Sequence, residues 1–363
     1  MSSISGDPLS ESSHRCESFP AAALCGTVSA ALSTRGFFRL PRALSEPTVA
    51  AFREQLSREL PSSTLALSDP RTWPTGRSRR VVEVEPIGGD AHWAALRECA
   101  PLRAALDDAL GTDSWALLEN AGDTDGRRVG ARFWYAPCVF PEDALPAAEV
   151  DSNAGEFGTR VCPFTAYDSL PRGRGAHAMW TPVSRRRFAG KGWHIDSGPG
   201  FGNDELRTLS GDPRQGVVIL VALNDWEIGG GGTALVAGSQ KAVFDHMGRA
   251  TAPLSHEELN TWVVERMRAL AEAGRVELVN EDASAHLDAS PLHEGGDGTL
   301  RVSQLLASAG DIFLLHPLLV HCGTSNERNV PRLMLNGMAR TTDVAFDRIG
   351  GVLTMLRLRD PEF

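Results

Sequence analysis

Two helical patterns come first along the chain. Ser45 has the residue type and position of a helix N-cap, and Pro47 falls in the first turn after it. The apolar positions that follow share one helical face: Val49, Phe52, Leu56 and Leu60. A second helical pattern covers 91–110, where Pro101 predicts a break and Gly111 predicts the end.

Short apolar runs dominate the rest of the sequence, each separated from the next by turn residues. The runs span 36–41, 132–135, 217–223, 312–315 and 333–338. The run 217–223 is apolar throughout, which is typical of a strand buried on both faces. One helix interrupts them, with Ser255 and Glu258 as a capping box. Short strands separated by turns favour a mainly β fold with peripheral helices, such as a sandwich or jelly roll.

The order of these patterns predicts one folded domain. The Ser-rich stretch 1–25 is expected to be a disordered tail, because it offers little apolar surface to bury. Residues 26–363 then form a single catalytic domain, since no internal repeat divides them. The stretch 241–300 is expected to be a helical and loop insertion between strands, and a candidate lid over the site.

Charge and cysteine usage narrow the function classes. The 363 residues carry 36 Lys and Arg against 46 Asp and Glu, a formal charge of −10 that disfavours nucleic acid or an anionic membrane as partner. There is no run of 18 apolar residues, so no membrane span is predicted. The six cysteines form no CxxC pair and predict reduced thiols in a cytoplasmic protein. No pattern predicts an oligomeric state.

Three His-x-acid motifs are candidate metal sites. Fe(II) enzymes that activate O2 hold the metal with two His and one carboxylate on one face. The motifs begin at His194, His256 and His286. His256 opens a helix and His286 lies in a polar loop, whereas His194 and Asp196 precede the buried strand 217–223. Residues two apart in a strand face the same way, so this pair can chelate one ion. A surface pair is the alternative.

The segment around 310–332 supplies a distal histidine and a cation. It reads Gly-Asp-Ile-Phe-Leu-Leu-His-Pro-Leu-Leu-Val-His up to His321, and the polar run 324–329 follows. A hairpin centred on that run would bring His321 opposite Arg332. A guanidinium beside a metal ligand suits a keto-diacid that chelates the metal and needs a bidentate partner for its far carboxylate. The alternative is a core histidine and a surface charge.

These residues resemble the phytanoyl-CoA dioxygenase family of Fe(II)- and 2-oxoglutarate-dependent oxygenases. The distal motif, with Asn five and Arg eleven residues after its last His, is similar to that of the family. The motif Gly-Trp-His-Ile-Asp at 192–196 resembles the first metal motif, the stretch 232–240 resembles the Gly-rich strand, and the stretch 36–45 resembles the entry into the fold. The resemblance thus spans about 33–340, in patches.

The resemblance implies a double-stranded β-helix, a cupin-like jelly-roll core, and a set of functional residues. His194, Asp196 and His321 would bind Fe(II), and Arg332 would bind the far carboxylate of 2-oxoglutarate, with O2 as the second co-substrate. Iron halogenases of similar type have a small residue in place of the carboxylate, so Asp196 favours hydroxylation or a related oxidation, with succinate and CO2 as co-products.

The sequence departs from the family pattern near the co-substrate. Ala237 and Gln240 replace the usual Pro and His of the Gly-rich strand. Gly323 stands where the family often has Ser, so one hydrogen bond to 2-oxoglutarate is expected to come from Thr233 or Thr324 instead. None of these departures touches the three metal ligands.

The substrate is expected to be a small or lipid-like molecule of a kind that the sequence leaves open. Six basic residues at 172–191 form either a cationic rim for an anionic substrate or a solvated loop. Two other functions remain open: a metal-dependent cupin-type enzyme that does not use 2-oxoglutarate, and a non-catalytic binding protein on the same fold. Arg332 separates the first alternative from an oxygenase, because a cupin enzyme has no use for it.

Overall fold

The structure is a computed structural model. It describes residues 27–60, 66–73, 81–84, 90–113, 115–117, 136–140, 164–166, 169–170, 174–175, 178–180, 193–196, 207–208, 217–249, 254–279, 289–293, 295–324, 326, 328 and 330–341. The predicted tail 1–25, the apolar run 132–135, the motif at His286 and much of the basic stretch 172–191 lie outside these residues. No helix in the described ranges is long and apolar enough to span a membrane.

The described helices are α1 (Thr27–Thr34), α2 (Glu46–Glu59), α3 (Asp90–Arg97), α4 (Ala100–Leu110), α5 (Ser239–Arg249) and α6 (His256–Glu272). Local signals explain several of their ends. Ser45 caps α2 by accepting a hydrogen bond from Thr48 N. Pro101 lies in the first turn of α4, so the predicted break separates α3 from α4, and Gly111 follows with a positive φ of 95°. These helix predictions are confirmed.

The strands of the first half are β1 (Phe37–Leu40), β2 (Val81–Val84), β3 (Trp115–Leu117), β4 (Ala136–Val139), β5 (Phe164–Ala166), β6 (Ser169–Leu170), β7 (Arg174–Gly175) and β8 (Ala178–Trp180). The strands of the second half are β9 (Arg207–Thr208), β10 (Val217–Ala222), β11 (Thr233–Leu235), β12 (Leu254–Ser255), β13 (Val276–Val279), β14 (Leu300–Gln304), β15 (Ile312–Leu315), β16 (His321–Gly323) and β17 (Met334–Thr341). Two sheets built from these strands organise the core.

The larger sheet has five strands in the order β1-β15-β10-β17-β3, and every neighbouring pair is antiparallel. β10 is buried along its whole length, as its uninterrupted apolar sequence predicts. Its residues alternate between two clusters, with Ile219 packed outward among α1, α2 and α4 and Leu220 packed inward. The N-terminal helices therefore cover the outer face of this sheet.

The second sheet has four strands in the order β13-β14-β11-β16 and faces the first. Leu235 and Leu305 on its inner face share one cluster with Leu220, Phe313 and Met334 of the five-stranded sheet. Its outer face packs against α5 and α6 of the predicted insertion. Two facing, mainly antiparallel sheets covered by helices confirm a jelly-roll core with peripheral helices.

The predicted hairpin between His321 and Arg332 is wrong. β16 pairs with β11 in the four-stranded sheet, whereas β17 pairs with β10 in the five-stranded sheet. The connection between them crosses from one sheet to the other, and Arg332 exchanges backbone hydrogen bonds of 2.9 Å with Val139. The hairpin is inferred from the turn alone, whereas β16 and β17 bury their outer faces in different clusters and so belong to different sheets.

Candidate metal centre

Residues 193–196 form a short extended segment that lies beside β16. His194 N donates to His321 O and His321 N donates to His194 O, each at 3.0 Å. On its other edge β16 pairs with β11, with Leu235 directly opposite His321. Directly paired residues share a face, and Leu235 packs in the inner cluster, so both histidines face the inner side of the jelly roll.

Three side chains meet at this point. Asp196 Oδ2 lies 3.2 Å from His321 Nε2, and Asp196 Oδ1 lies 3.7 Å from His194 Nε2. One ligand atom from each of the three residues lies within 4.8 Å of the others. Donor atoms about 2.1 Å from one metal, at right angles, are about 3 Å apart. The cluster therefore has the spacing and the donor set, two imidazoles and one carboxylate on one face, that Fe(II) oxygenases use.

The ring of His321 is oriented for metal binding through Nε2. Its Nδ1 lies 2.8 Å from Leu319 O. Because a carbonyl oxygen can only accept, Nδ1 carries a hydrogen, which leaves Nε2, on the side of Asp196, as the nitrogen that can bind a metal. Metal-binding histidines use their second nitrogen in this way. Burial alone would lower the pKa of His321, but the Asp196 carboxylate and the Leu319 carbonyl outweigh it and raise that pKa above its usual value.

Burial distinguishes the three ligand positions. Asp196 and His321 are buried, whereas the His194 side chain is 40% exposed. The site thus has a closed side formed by Asp196 and His321 and an open side at His194. This is the one cluster of metal-ligand side chains found in the described part of the chain.

Arg332 is buried against the same inner cluster from the opposite sheet. Its Nη1 donates to Met334 Sδ at 2.9 Å, and its guanidinium carbon lies 5.7 Å from the centre of the Trp226 ring. Trp226 and Met334 both belong to the inner cluster that Leu235 joins from the side of the metal ligands. A buried guanidinium is stabilised by an anion, so this position suits a carboxylate that enters from the inner side.

The two threonines predicted near the co-substrate lie on opposite faces. Thr233 is two residues before Leu235 in β11, so it faces the inner side, and it is buried. The Thr324 hydroxyl donates to Gly232 O at 2.5 Å and accepts from Gln304 Nε2 at 3.0 Å. Thr324 therefore joins β16 to the neighbouring strands, which favours a structural role, whereas Thr233 faces the inner side.

Two contributors to the site were missed by the sequence analysis. The Leu319 carbonyl is a backbone group, and no residue type announces it. Trp226 supplies the ring over which Arg332 lies, and its Nε1 donates to Leu333 O at 3.3 Å. Its partner is over a hundred residues away, so only the fold brings them together.

A family model described as phytanoyl-CoA dioxygenase (PhyH) matches residues 32–334. The comparison with curated proteins found no match. Several solved structures are similar in fold over most of the chain. One is the non-heme alpha ketoglutarate dependent carbocyclase SnoK from nogalamycin biosynthesis, at 15% identity and a TM-score of 0.41, covering 88% of this chain and 85% of that one.

Two further solved structures match with similar identity and coverage. HygX from Streptomyces hygroscopicus, solved with nickel and 2-oxoglutarate bound, has 18% identity and a TM-score of 0.38, covering 86% of this chain and 85% of its own. The epimerase SnoN, solved with Fe3+, alpha ketoglutarate and nogalamycin RO, has 14% identity and a TM-score of 0.41, covering 88% and 84%.

Proposed function

Because the chain belongs to the phytanoyl-CoA dioxygenase (PhyH) family, an Fe(II)- and 2-oxoglutarate-dependent oxygenase family, we propose that His194, Asp196 and His321 bind its iron. The observation that carries this assignment is the meeting of their three ligand atoms within 4.8 Å, on the inner side of the jelly roll. Bound Fe(II) supplies the oxidative chemistry, in which O2 and 2-oxoglutarate are consumed and succinate and CO2 are released.

Each residue of the site has a distinct task. Asp196, which lies beside both imidazoles, would offset the charge of a metal that the two rings bind together with it. The Leu319 carbonyl fixes the ring of His321. Arg332 binds the far carboxylate of 2-oxoglutarate with its planar guanidinium, and the Trp226 face keeps that plane in position. Thr233 donates a hydrogen bond to the co-substrate from the inner face of β11.

The oxidised substrate is proposed to be a small or lipid-like molecule, and hydroxylation the outcome. The family description names an acyl-CoA dioxygenase, which supports a substrate of this kind. The carboxylate at Asp196 supports oxygen transfer, because it occupies the ligand position that an iron halogenase would leave to chloride. The open side of the cluster at His194 offers the substrate a direction of approach.

The cofactor pair can be tested before any substrate is known. Purified metal-free protein receives Fe(II) and then 2-oxoglutarate under argon, and the visible metal-to-ligand charge-transfer band is recorded. We expect a band in the wild type and none in His194→Ala. Arg332→Ala should need about 10- to 150-fold more 2-oxoglutarate, since a hydrogen bond to a charged group contributes about 1.5–3 kcal/mol.

A matched control separates the guanidinium of Arg332 from charge in general. Arg328 lies four residues away, is exposed and pairs with Glu227 at 3.4 Å. Arg328→Ala should leave the 2-oxoglutarate titration unchanged. Iron binding without a band would indicate a cupin-type enzyme that does not use 2-oxoglutarate. Failure to bind iron at all would indicate a binding protein on the same fold.

A further inference from the structure

Within the described residues, the segment that carries His194 and Asp196 pairs with a single strand, β16. His194 directs both its N–H and its C=O to His321. In an antiparallel pairing the next residue directs its peptide groups the other way, so the Ile195 N–H points away from β16. A buried N–H needs an acceptor, and an edge strand without one is poorly fixed.

The acceptor is a side chain of the insertion. Ile195 N donates to Asn260 Oδ1 at 2.9 Å, across 65 residues of sequence. Asn260 lies in the second turn of α6, where its own backbone is helical. Asparagine is a poor residue for a helix interior, because its side chain competes for backbone hydrogen bonds. Its presence there is explained by this contact, in which the side-chain amide accepts the hydrogen bond of a strand-like segment.

The same helix also holds the segment by packing. The side chain of Ile195 is fully buried in the cluster that Leu259 and Val263 of α6 form with Ala234 and Cys322 of the four-stranded sheet. Ile195 is therefore fixed through its side chain and through its N–H by one helix. His194 and Asp196 flank Ile195 and face the opposite way, so any rotation of this residue moves both ligands.

We propose that Asn260 is a positioning residue for the metal centre, and that α6 supports the iron-binding segment instead of moving as a lid over it. This rests on the proposed metal ligands. Asn260 touches neither metal nor substrate, and acts through the Ile195 peptide. The positions of His194 and Asp196 relative to His321 then depend on hydrogen bonds to the two edges of this segment. One edge is bonded to β16 and the other to α6.

Iron affinity of the metal-free full chain tests the proposal without any turnover. Fe(II) is titrated under argon against a chelating dye, without 2-oxoglutarate. Asn260→Leu keeps the branched shape but removes the acceptor, and should weaken iron binding about 10- to 100-fold, as loss of a contact behind a metal ligand does. Asn260→Asp keeps an acceptor and should bind iron within about threefold of the wild type, or more tightly.

The control is the next residue of the same helix. Thr261 is exposed in the helix, so Thr261→Ala should leave iron affinity unchanged and should not lower the melting temperature. If Asn260→Leu melts at a lower temperature but binds iron as the wild type does, Asn260 has only a structural role and the proposal is overturned. If the wild type itself binds no iron, the proposed function fails as well.

Hydrogen exchange tests the same contact, and its first part uses the wild type alone. In the metal-free wild type, the Ile195 amide should exchange slowly, as does that of His194, whose N–H is bonded to His321 O. In Asn260→Leu the Ile195 amide should exchange at least about tenfold faster, while the His194 amide stays protected. An Ile195 amide that exchanges at the unprotected rate in the wild type would overturn the proposal.

Discussion

The two sheets of the jelly roll are held in different ways. In the five-stranded sheet, β10 pairs with β17 along its whole length, and helices from the N-terminal part cover the outer face. In the four-stranded sheet, β11 pairs with β16 over three residues and with β14 over two, and the insertion covers the outer face. The metal ligands belong to this second side. The longest strand pairing therefore lies in one sheet, whereas the site geometry depends on side-chain contacts around the other.

The largest stability effect is expected at the start of β15, on the five-stranded side. Asp311 is fully buried and accepts hydrogen bonds from Arg39 Nε and Nη2 at 2.9 and 2.6 Å, from Arg42 N at 2.7 Å and from Ser308 N at 2.8 Å. Asp311→Ala leaves these donors without their acceptor and should lower the free energy of unfolding by about 3–5 kcal/mol, measured by urea denaturation.

If the two sheets are held independently, the lower stability of Asp311→Ala should not affect iron binding at the metal centre. Asp311 is at the far end of β15 from the connection to β16, so iron affinity should change less than about twofold. Asp225, which is exposed and accepts from Ala309 N at 2.8 Å, is the matched carboxylate, and Asp225→Ala should cost about 1 kcal/mol. A large loss of iron affinity in Asp311→Ala would mean that the two sides are not separable.

A pH effect of intermediate size is expected at the connection between β15 and β16. Burial lowers the pKa of His316 to about 3, and its Nδ1 accepts from Leu318 N at 3.0 Å. The folded protein keeps His316 neutral, but the unfolded chain protonates it below its ordinary pKa. The contribution to stability is therefore fully present above about pH 6.5 and lost as the pH falls towards 3.

At pH 5 this loss amounts to about 2 kcal/mol relative to pH 7, measured on metal-free protein by denaturation. His316→Asn keeps an acceptor for the Leu318 N–H and does not titrate, so its stability should depend less on pH by that amount. A variant whose stability falls between pH 7 and pH 5 as much as that of the wild type would show that His316 is not buried in the neutral form.

The smallest and sharpest test compares two isoleucines. Ile195 lies between two metal ligands and Ile219 lies in β10, and both are fully buried. Each Ile→Val change removes one methylene and should cost about 0.5–1.5 kcal/mol. Only Ile195→Val should also weaken iron binding, by a few-fold, because the cavity lies behind His194 and Asp196. Equal iron affinities in the two variants would contradict the idea that packing by α6 sets the position of the ligands.

Much of the fold could be predicted because its signals are local. The break between α3 and α4 follows from Pro101 and the end of α4 from Gly111, while the apolar run at β10 identifies a strand buried on both faces. The candidate ligands could be found because two His-x-acid alternatives, at His256 and His286, lacked a strand-like context. Their roles remain a prediction, although the fold brings His194, Asp196 and His321 together.

The rest could not be predicted because it depends on which sheet each strand joins. The sequence between His321 and Arg332 is compatible with a hairpin, yet β16 and β17 bury their outer faces in different clusters and join different sheets. The same separation places the Thr324 hydroxyl against Gly232 and Gln304. The contact between Ile195 and Asn260 spans 65 residues and leaves no periodic signal.

The most direct test of the central claim is a crystal structure of the full chain with Fe(II) and 2-oxoglutarate, prepared without oxygen. The account predicts one metal ion bound by His194, Asp196 and His321, with the far carboxylate of 2-oxoglutarate on Arg332. Metal bound by other residues, or 2-oxoglutarate held by a different cation, would contradict it.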